Sequence, residues 1–147
     1  MTAFALTYVS IAHIVAVVFA IIELGLTAYI ANTTRSAFFS FPRVNFMIFN
    51  SVWTLLVLIY VAVTPLYLAN LHHKLAATVV TTVTAIFWFA GSIALAVISG
   101  GGVTAAAVAF GFFLWVIFTG LAALDLLETR RGTTSSVKTG PAANPGV

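Results

Sequence analysis

Hydrophobic residues in this chain come in long unbroken runs, and the positions of the polar residues between them divide it into segments. The first run extends roughly from Phe4 to Ala31, interrupted only by His13 and Glu23. The second follows Pro42-Arg43 and covers Val44 to Leu71, with Pro65 in its last third. Between Lys74 and Asp125 no charged residue intervenes. As one helix that stretch would be about 75 Å long, more than twice the thickness of a bilayer's hydrocarbon core. It therefore divides in two. Ser99-Gly100-Gly101-Gly102 supplies the break, giving a third span from Leu75 to Ile98 and a fourth from Val103 to Leu127.

Each segment reaches the roughly 20 apolar residues that a membrane helix needs. Lipid offers no hydrogen bonds to an exposed backbone, so each segment must satisfy its own N–H and C=O groups, which a helix does. The runs lack the lipid-out, lumen-in alternation of a transmembrane β-barrel. The first is too long for the apolar region of a signal peptide and no Lys or Arg precedes it, so it reads as a span. The expected fold is an all-α integral-membrane four-helix bundle occupying residues 1–131. Beyond Arg131 the composition turns to Gly, Ser, Thr and Pro, and 132–147 is expected to be a disordered cytoplasmic tail.

Composition sharpens the solvent argument. Of 147 residues, 62% are hydrophobic and 6% charged, and the mean hydropathy is +1.15. That leaves too little polar surface to cover a globule in water. Cysteine is absent, which excludes disulfides, thiol nucleophiles, iron–sulfur clusters and thiolate zinc sites. The net charge of +3 comes from six bases against three acids, and the bases lie near the ends of the runs rather than in one patch. Such a distribution serves orientation in the membrane and excludes nucleic acid as a partner. With the N-terminus inside, Lys74, Arg130, Arg131 and Lys138 lie on the inner side against Arg35 and Arg43 outside, so both termini are expected to be cytoplasmic. The sequon Asn32-Thr33-Thr34 then falls on the outer side, too close to the helix end for efficient glycosylation.

The second span reads Arg43-Val44-Asn45-Phe46-Met47, then Ser51-Val52-Trp53-Thr54-Leu55-Leu56-Val57-Leu58-Ile59-Tyr60, and closes Thr64-Pro65-Leu66-Tyr67. The third carries Phe87-Trp88-Phe89-Ala90-Gly91-Ser92-Ile93-Ala94-Leu95-Ala96. With Gly25-Leu26-Thr27-Ala28-Tyr29 in the first span, and Ala107-Val108-Ala109-Phe110-Gly111 and Trp115 in the fourth, these segments resemble fungal MARVEL-domain proteins from roughly Phe4 to Leu127. The resemblance implies four spans, cytosolic termini, and a relation to physins, occludins and the fungal non-classical export protein. It implies work in membrane apposition, lateral membrane domains or vesicle traffic, in the plasma membrane or endomembranes and vesicles, rather than an enzymatic reaction. Family members often carry a longer, cysteine-containing loop between the third and fourth spans, where this chain has Ser99-Gly100-Gly101-Gly102-Val103. A function lodged in that loop is not implied here.

Glu23 stands out, because a charge inside the bilayer costs at least a few kcal/mol and marks a function or a specific partner. Helical rise puts Glu23, Thr54 and Trp88 at one level, about 20 Å from the inner face, with Asn50 and Ser92 about a turn further out. These five form an expected intramembrane polar cluster. Ala12, Ala16, Ala20, Glu23 and Thr27 share one face of the first helix, and Thr81, Ala85, Trp88 and Ser92 one face of the third. The two faces are expected to meet inside the bundle. Glu23 then reads as a neutral acid making a structural hydrogen bond, since burial of a charge in so apolar a site is costly. The sharper reading is a proton or cation pathway, which would need a second titratable group at that depth. Asp125 is not that group, because it lies roughly 20 Å lower.

The cytoplasmic interface gathers His13, Lys74, Asp125, Glu128, Arg130 and Arg131, and His13 can reach Asp125 if the first and fourth helices are neighbours. His72-His73 lacks the spacing of a chelating helical pair, so with Lys74 it reads as a positive turn beside anionic headgroups, not as a metal site. Phe38-Phe39-Ser40-Phe41-Pro42 reads as an interfacial anchor on the outer side. Trp53, Trp88 and Trp115 lie within spans and read as packing or lipid-facing residues. Gly91, Gly111 and Gly120 read as points of close helix approach. No catalytic residue, cofactor or metal is expected. The first functional expectation is a membrane organiser working through membrane lipids and through homo-oligomers or other membrane proteins. The alternatives, both centred on Glu23, are a small proton-coupled carrier or channel and a membrane-embedded isomerase or cyclase.

Overall fold

A computed structural model of the chain describes residues 3–34, 42–67 and 71–138, all but a short connection of it helical. The side chains of Ala5, Pro65, Leu66, 71–73 and 133–138 lie outside what it describes. The elements are α1 (Ala3–Thr34), α2 (Pro42–Tyr67), α3 (Leu71–Ala96) and α4 (Gly102–Lys138). All four contain a segment long and apolar enough to cross a membrane: Leu6–Thr34, Pro42–Thr64, Lys74–Ala96 and Gly102–Gly132. At 29 and 31 residues the first and last are about 45 Å long, so they tilt or project beyond a roughly 30 Å core. The chain is thus an all-α, multi-pass integral membrane protein.

The helices form a ring in chain order. α1 packs on α2 and α4, α3 packs on α2 and α4, and neither α1 and α3 nor α2 and α4 pack backbone against backbone. Short connections produce this arrangement, because consecutive antiparallel helices become neighbours and alternate ones fall on the diagonals.

The α3–α4 connection forms at the glycine run. Ile98 N–H donates to Leu95 O at 3.1 Å and Ser99 N–H to Ala96 O at 3.2 Å, tightening the end of α3. Gly101 and Gly102 then take positive φ, 102° and 59°, which a side chain disfavours. At the other end α4 continues to Lys138, past the expected span end at Leu127 and through the first part of the segment expected to be disordered. The correction has a local cause: no proline or paired glycine stands between Arg131 and Gly140-Pro141, so nothing stops the helix on leaving the membrane. Residues 139–147 lie outside the described residues, as does the aromatic stretch Phe38 to Phe41.

The polarity of the bundle is inverted relative to a soluble one. Ile21, Leu56, Ile86 and Val116 are exposed on α1, α2, α3 and α4, whereas Glu23, Asn50, Thr54, Thr84 and Ser92 are fully buried. Small residues line the interior at Ala16, Ala20, Ala85 and Ala107, and Met47, Trp88, Leu114 and Phe118 fill it. Aromatic contacts join neighbouring helices around the ring: Phe19 to Phe110, centroids 5.1 Å apart, Phe46 to Phe87 at 5.9 Å, and Phe89 to Trp115 at 5.2 Å.

The stripes expected on α1 and α3 do face inward, with Ala16, Ala20, Glu23 and Thr27 buried on one and Thr81, Ala85, Trp88 and Ser92 on the other. They do not meet as helix faces, because α1 and α3 stand on a diagonal. All four helices line the interior of a ring, so pointing inward does not specify a partner. The large side chains Met47 and Trp88 are fully buried in the interior.

Candidate functional site

Hydroxyl groups inside the bundle mostly satisfy themselves along their own helices. Thr27 donates to Glu23 O at 2.7 Å, Ser51 to Met47 O at 3.0 Å, Thr81 to Ala77 O at 2.8 Å and Thr84 to Val80 O at 2.7 Å. This i to i−4 back-bonding lets a polar residue sit in an apolar interior without a partner on another helix.

Side-chain hydrogen bonds tie α2 to α3 at three points. Asn50 Nδ2 donates to Phe87 O at 2.9 Å, Trp88 Nε1 to Thr54 Oγ1 at 2.9 Å, and Trp53 Nε1 to Thr84 Oγ1 at 3.1 Å. Asn50 and Trp53 are three positions apart on α2, and Phe87 and Thr84 three apart on α3, so two of the bonds share one antiparallel register. Sequence reasoning missed the Trp53–Thr84 pair. The arithmetic that levels Thr54 with Trp88 sets Trp53 and Thr84 about 8 Å apart along the helices, more than a turn, so level alone gave no signal for a pair that the long indole side chain bridges.

The expected polar cluster is therefore buried throughout and only partly bonded. Trp88 is paired with Thr54, and Asn50 is tied to the α3 backbone. Both carboxyl oxygens of Glu23, Oδ1 of Asn50 and Oγ of Ser92 are buried with no hydrogen-bond partner among the described residues. The structural hydrogen bond expected of Glu23, with Thr54 or Trp88 as its proposed contact, is not made. Trp88 spends its single donor on Thr54, and no hydrogen bond joins the Thr54 hydroxyl to the carboxyl group.

Close packing surrounds part of this cluster. A Cβ added at Gly91 would stand 2.6 Å from Met47 Sδ and 2.9 Å from Asn50 Nδ2. One added at Gly111 would overlap Ser92 Oγ and approach Met47 Cε to 3.3 Å. Met47 of α2 thus reaches past α3 to α4. Gly120 is different: nothing lies within 4 Å of its Cβ position, so it is not the close-approach point expected from the sequence. It is exposed on the outside of α4.

At the other end of the bundle α1 and α4 are neighbours, and His13 and Asp125 are near enough for their charges to interact, as are Asp125 and Glu128. His13 Nδ1 lies 2.7 Å from Val9 O on its own helix, and Thr129 Oγ1 donates to Asp125 O at 2.9 Å. Lys74, Arg130 and Arg131 are exposed. Among the described residues no group of three or more His, Cys, Asp or Glu side chains is placed to hold a metal ion.

Replacing Glu23 with leucine is expected to leave the fold intact and raise its stability by about 1–3 kcal/mol, because it removes buried oxygens that have no partner while keeping the volume filled. Thermal unfolding in one detergent measures it. A large loss of stability would show that the carboxyl group has a partner holding the bundle.

Four membrane-length helices closed into a ring, apolar outside and polar within, define a tetraspanning membrane bundle. Over residues 4–124 the sequence matches MARVEL, the membrane-associating domain, and the chain belongs to that family. No curated protein and no solved structure matches it.

Proposed function

We propose that this chain is a membrane organiser that acts by lateral association, with lipids, with further copies of itself and with other membrane proteins, and not as an enzyme. Its setting is membrane domains, membrane apposition or vesicle traffic in the plasma membrane or an endomembrane. The observation that carries this reading is the inverted surface, with bulky aliphatic side chains directed outward on all four helices and the polar groups held inside. Such a surface meets lipid and other spans, whose contacts form by packing and not by exclusion of water.

With four spans both ends fall on one side, and the excess of Lys74, Arg130, Arg131 and Lys138 over Arg35 and Arg43 supports a cytosolic placement. Arg43-Val44-Asn45-Phe46 opening the second span and Phe87-Trp88-Phe89-Ala90-Gly91 in the third support an affinity with fungal members of the family, near physins, occludins and the fungal non-classical export protein.

Energy transfer between two fluorophore-labelled populations, reconstituted together at low density in liposomes, tests lateral association. Transfer above that of randomly dispersed labels is expected. Random dispersal at every density, with and without lipids from the native membrane, would contradict self-association.

One observation favours a second reading, a proton-coupled carrier or channel: the carboxyl oxygens of Glu23 are buried and have no partner among the described residues. On that reading Glu23→Gln abolishes a pH-dependent flux in liposomes, and the absence of any such flux in the unaltered protein removes it.

A further inference from the structure

On the outer side of the bundle, between α3 and α4, lies a groove of about 280 Å³. Thr82, Ala85 and Phe89 of α3 and Trp115, Thr119 and Ala122 of α4 line it. The small residues leave the space, and the Phe89 and Trp115 rings, 5.2 Å apart and inclined by 40°, stand together at one end.

The two walls are in register. From Phe89 back to Thr82 is seven positions on α3, and from Trp115 on to Ala122 is seven on α4, as expected of adjacent antiparallel helices. Continuing along the same faces, α3 runs Phe89, Ala85, Thr82, Thr78, Lys74, and α4 runs Trp115, Thr119, Ala122, Leu126, Arg130. Every step is three or four residues, so each line keeps to one face of its helix. Lys74 and Arg130 each stand fifteen positions from the ring pair, about 22 Å along the helices, and so at one level. Both are exposed.

The acids of this region belong to another face. Asp125 and Glu128 continue the line of Phe118 and Leu121, which are buried against the rest of the bundle, and Asp125 is close to His13 of α1. Two basic groups, Lys74 and Arg130, therefore stand beyond the Thr82–Ala122 end of the groove on the same two helix faces, and Arg130 also makes an interaction within the chain.

We propose that the α3–α4 groove binds one anionic phospholipid, with its phosphate at Lys74 and Arg130 and an acyl chain lying along Thr82, Ala85, Thr119 and Ala122 toward Phe89 and Trp115. The distances match this occupant. Lys74 begins the third membrane-length segment and Arg130 lies two residues before the end of the fourth, so both stand at the hydrocarbon boundary. One leaflet's hydrocarbon is about 15 Å deep. The groove begins about 12 Å from the basic pair, within that leaflet, and ends about 22 Å from it along the helices, which tilt brings near the bilayer midplane, where an acyl chain ends. Arginine's planar fork suits phosphate oxygens, and lysine adds a point charge. The proposal deepens the lipid-association reading above and rests on it, but it concerns one site on one chain.

Brominated acyl chains quench tryptophan on contact, and Trp115 lines the groove. The full chain in nanodiscs of unlabelled phosphatidylcholine is titrated with brominated phosphatidylserine or with brominated phosphatidylcholine. Saturable quenching is expected with phosphatidylserine at a lower mole fraction than with phosphatidylcholine. The double variant Lys74→Gln/Arg130→Gln is expected to weaken the phosphatidylserine response roughly 30-fold, from about 1 kcal/mol per basic residue. Thr119→Phe, which fills an exposed part of the groove, is expected to reduce quenching by both lipids. Equal responses to the two lipids, or an unchanged response in the double variant, would overturn the proposal. Displacement of the lipid by inorganic phosphate at millimolar concentration would reassign the basic pair to free phosphate and overturn it too. Because the readout comes from single chains, failure here leaves the energy-transfer test of lateral association standing, and failure there leaves this one standing.

Discussion

Trp88→Ala is expected to destabilise the bundle by about 3 kcal/mol. Trp88 is fully buried in the bundle, bonded to Thr54 across the α2–α3 interface. In a soluble protein such a change loses both transfer free energy and packing. In a membrane the transfer part falls away, since lipid tails are as apolar as the interior, and the cavity remains with its lost contacts. The truncation also removes the donor that reaches Thr54 from α3, leaving that hydroxyl without its interhelical partner. Trp88→Phe separates the two effects. It keeps most of the volume and loses the 2.9 Å bond, so a loss of about 0.6 kcal/mol is expected, the average for interhelical bonds in lipid. Unfolding in mixed micelles measures both, and equal losses for the two variants would show that the hydrogen bond, not the volume, holds the centre.

Gly91→Leu is expected to be as damaging, at about 3 kcal/mol, and Gly120→Leu is its counterpart. Even the first carbon added at Gly91 would stand 2.6 Å from Met47 Sδ and 2.9 Å from Asn50 Nδ2. Asn50 has little room to yield, because its amide is fixed to Phe87 O. Met47 is fully buried and extends toward Gly111. The substitution therefore separates α2 from α3. At Gly120 nothing lies within 4 Å of the new carbon, and leucine's better helix propensity is expected to add up to about 1 kcal/mol. Two glycines of one sequence thus take opposite signs. Equal effects at both positions would contradict the placement of α3 against α2.

The difference between those glycines shows what sequence reading reaches. The four spans were legible because lipid imposes a length and an unbroken apolar composition, and the break at Ser99-Gly100-Gly101-Gly102 was legible because positive φ at Gly101 and Gly102 is what glycine permits. Glu23 facing inward was legible from the alanine and threonine residues sharing its stripe. Which helix lies beside which was not. Inward stripes on α1 and α3 look complementary, but ring closure through short connections puts those helices on a diagonal. A glycine on the lipid side is spelled like one in a helix crossing, so Gly120 looked like Gly111. The hydrogen bond expected of Glu23 failed because level along the membrane says nothing of which donors are already taken, and Trp88 had only one to give.

The lipid groove was hidden for a related reason. Lys74 and Arg130 read as separate interfacial charges until the antiparallel register of α3 and α4 sets them at one level, in line with Thr82 and Ala122.

Native mass spectrometry of the protein, extracted gently from its own membrane, tests the organiser reading most directly. Homo-oligomers carrying several lipids are the predicted result. A monomer holding one stoichiometric non-lipid molecule would contradict it and make the buried carboxyl of Glu23 a ligand-binding group.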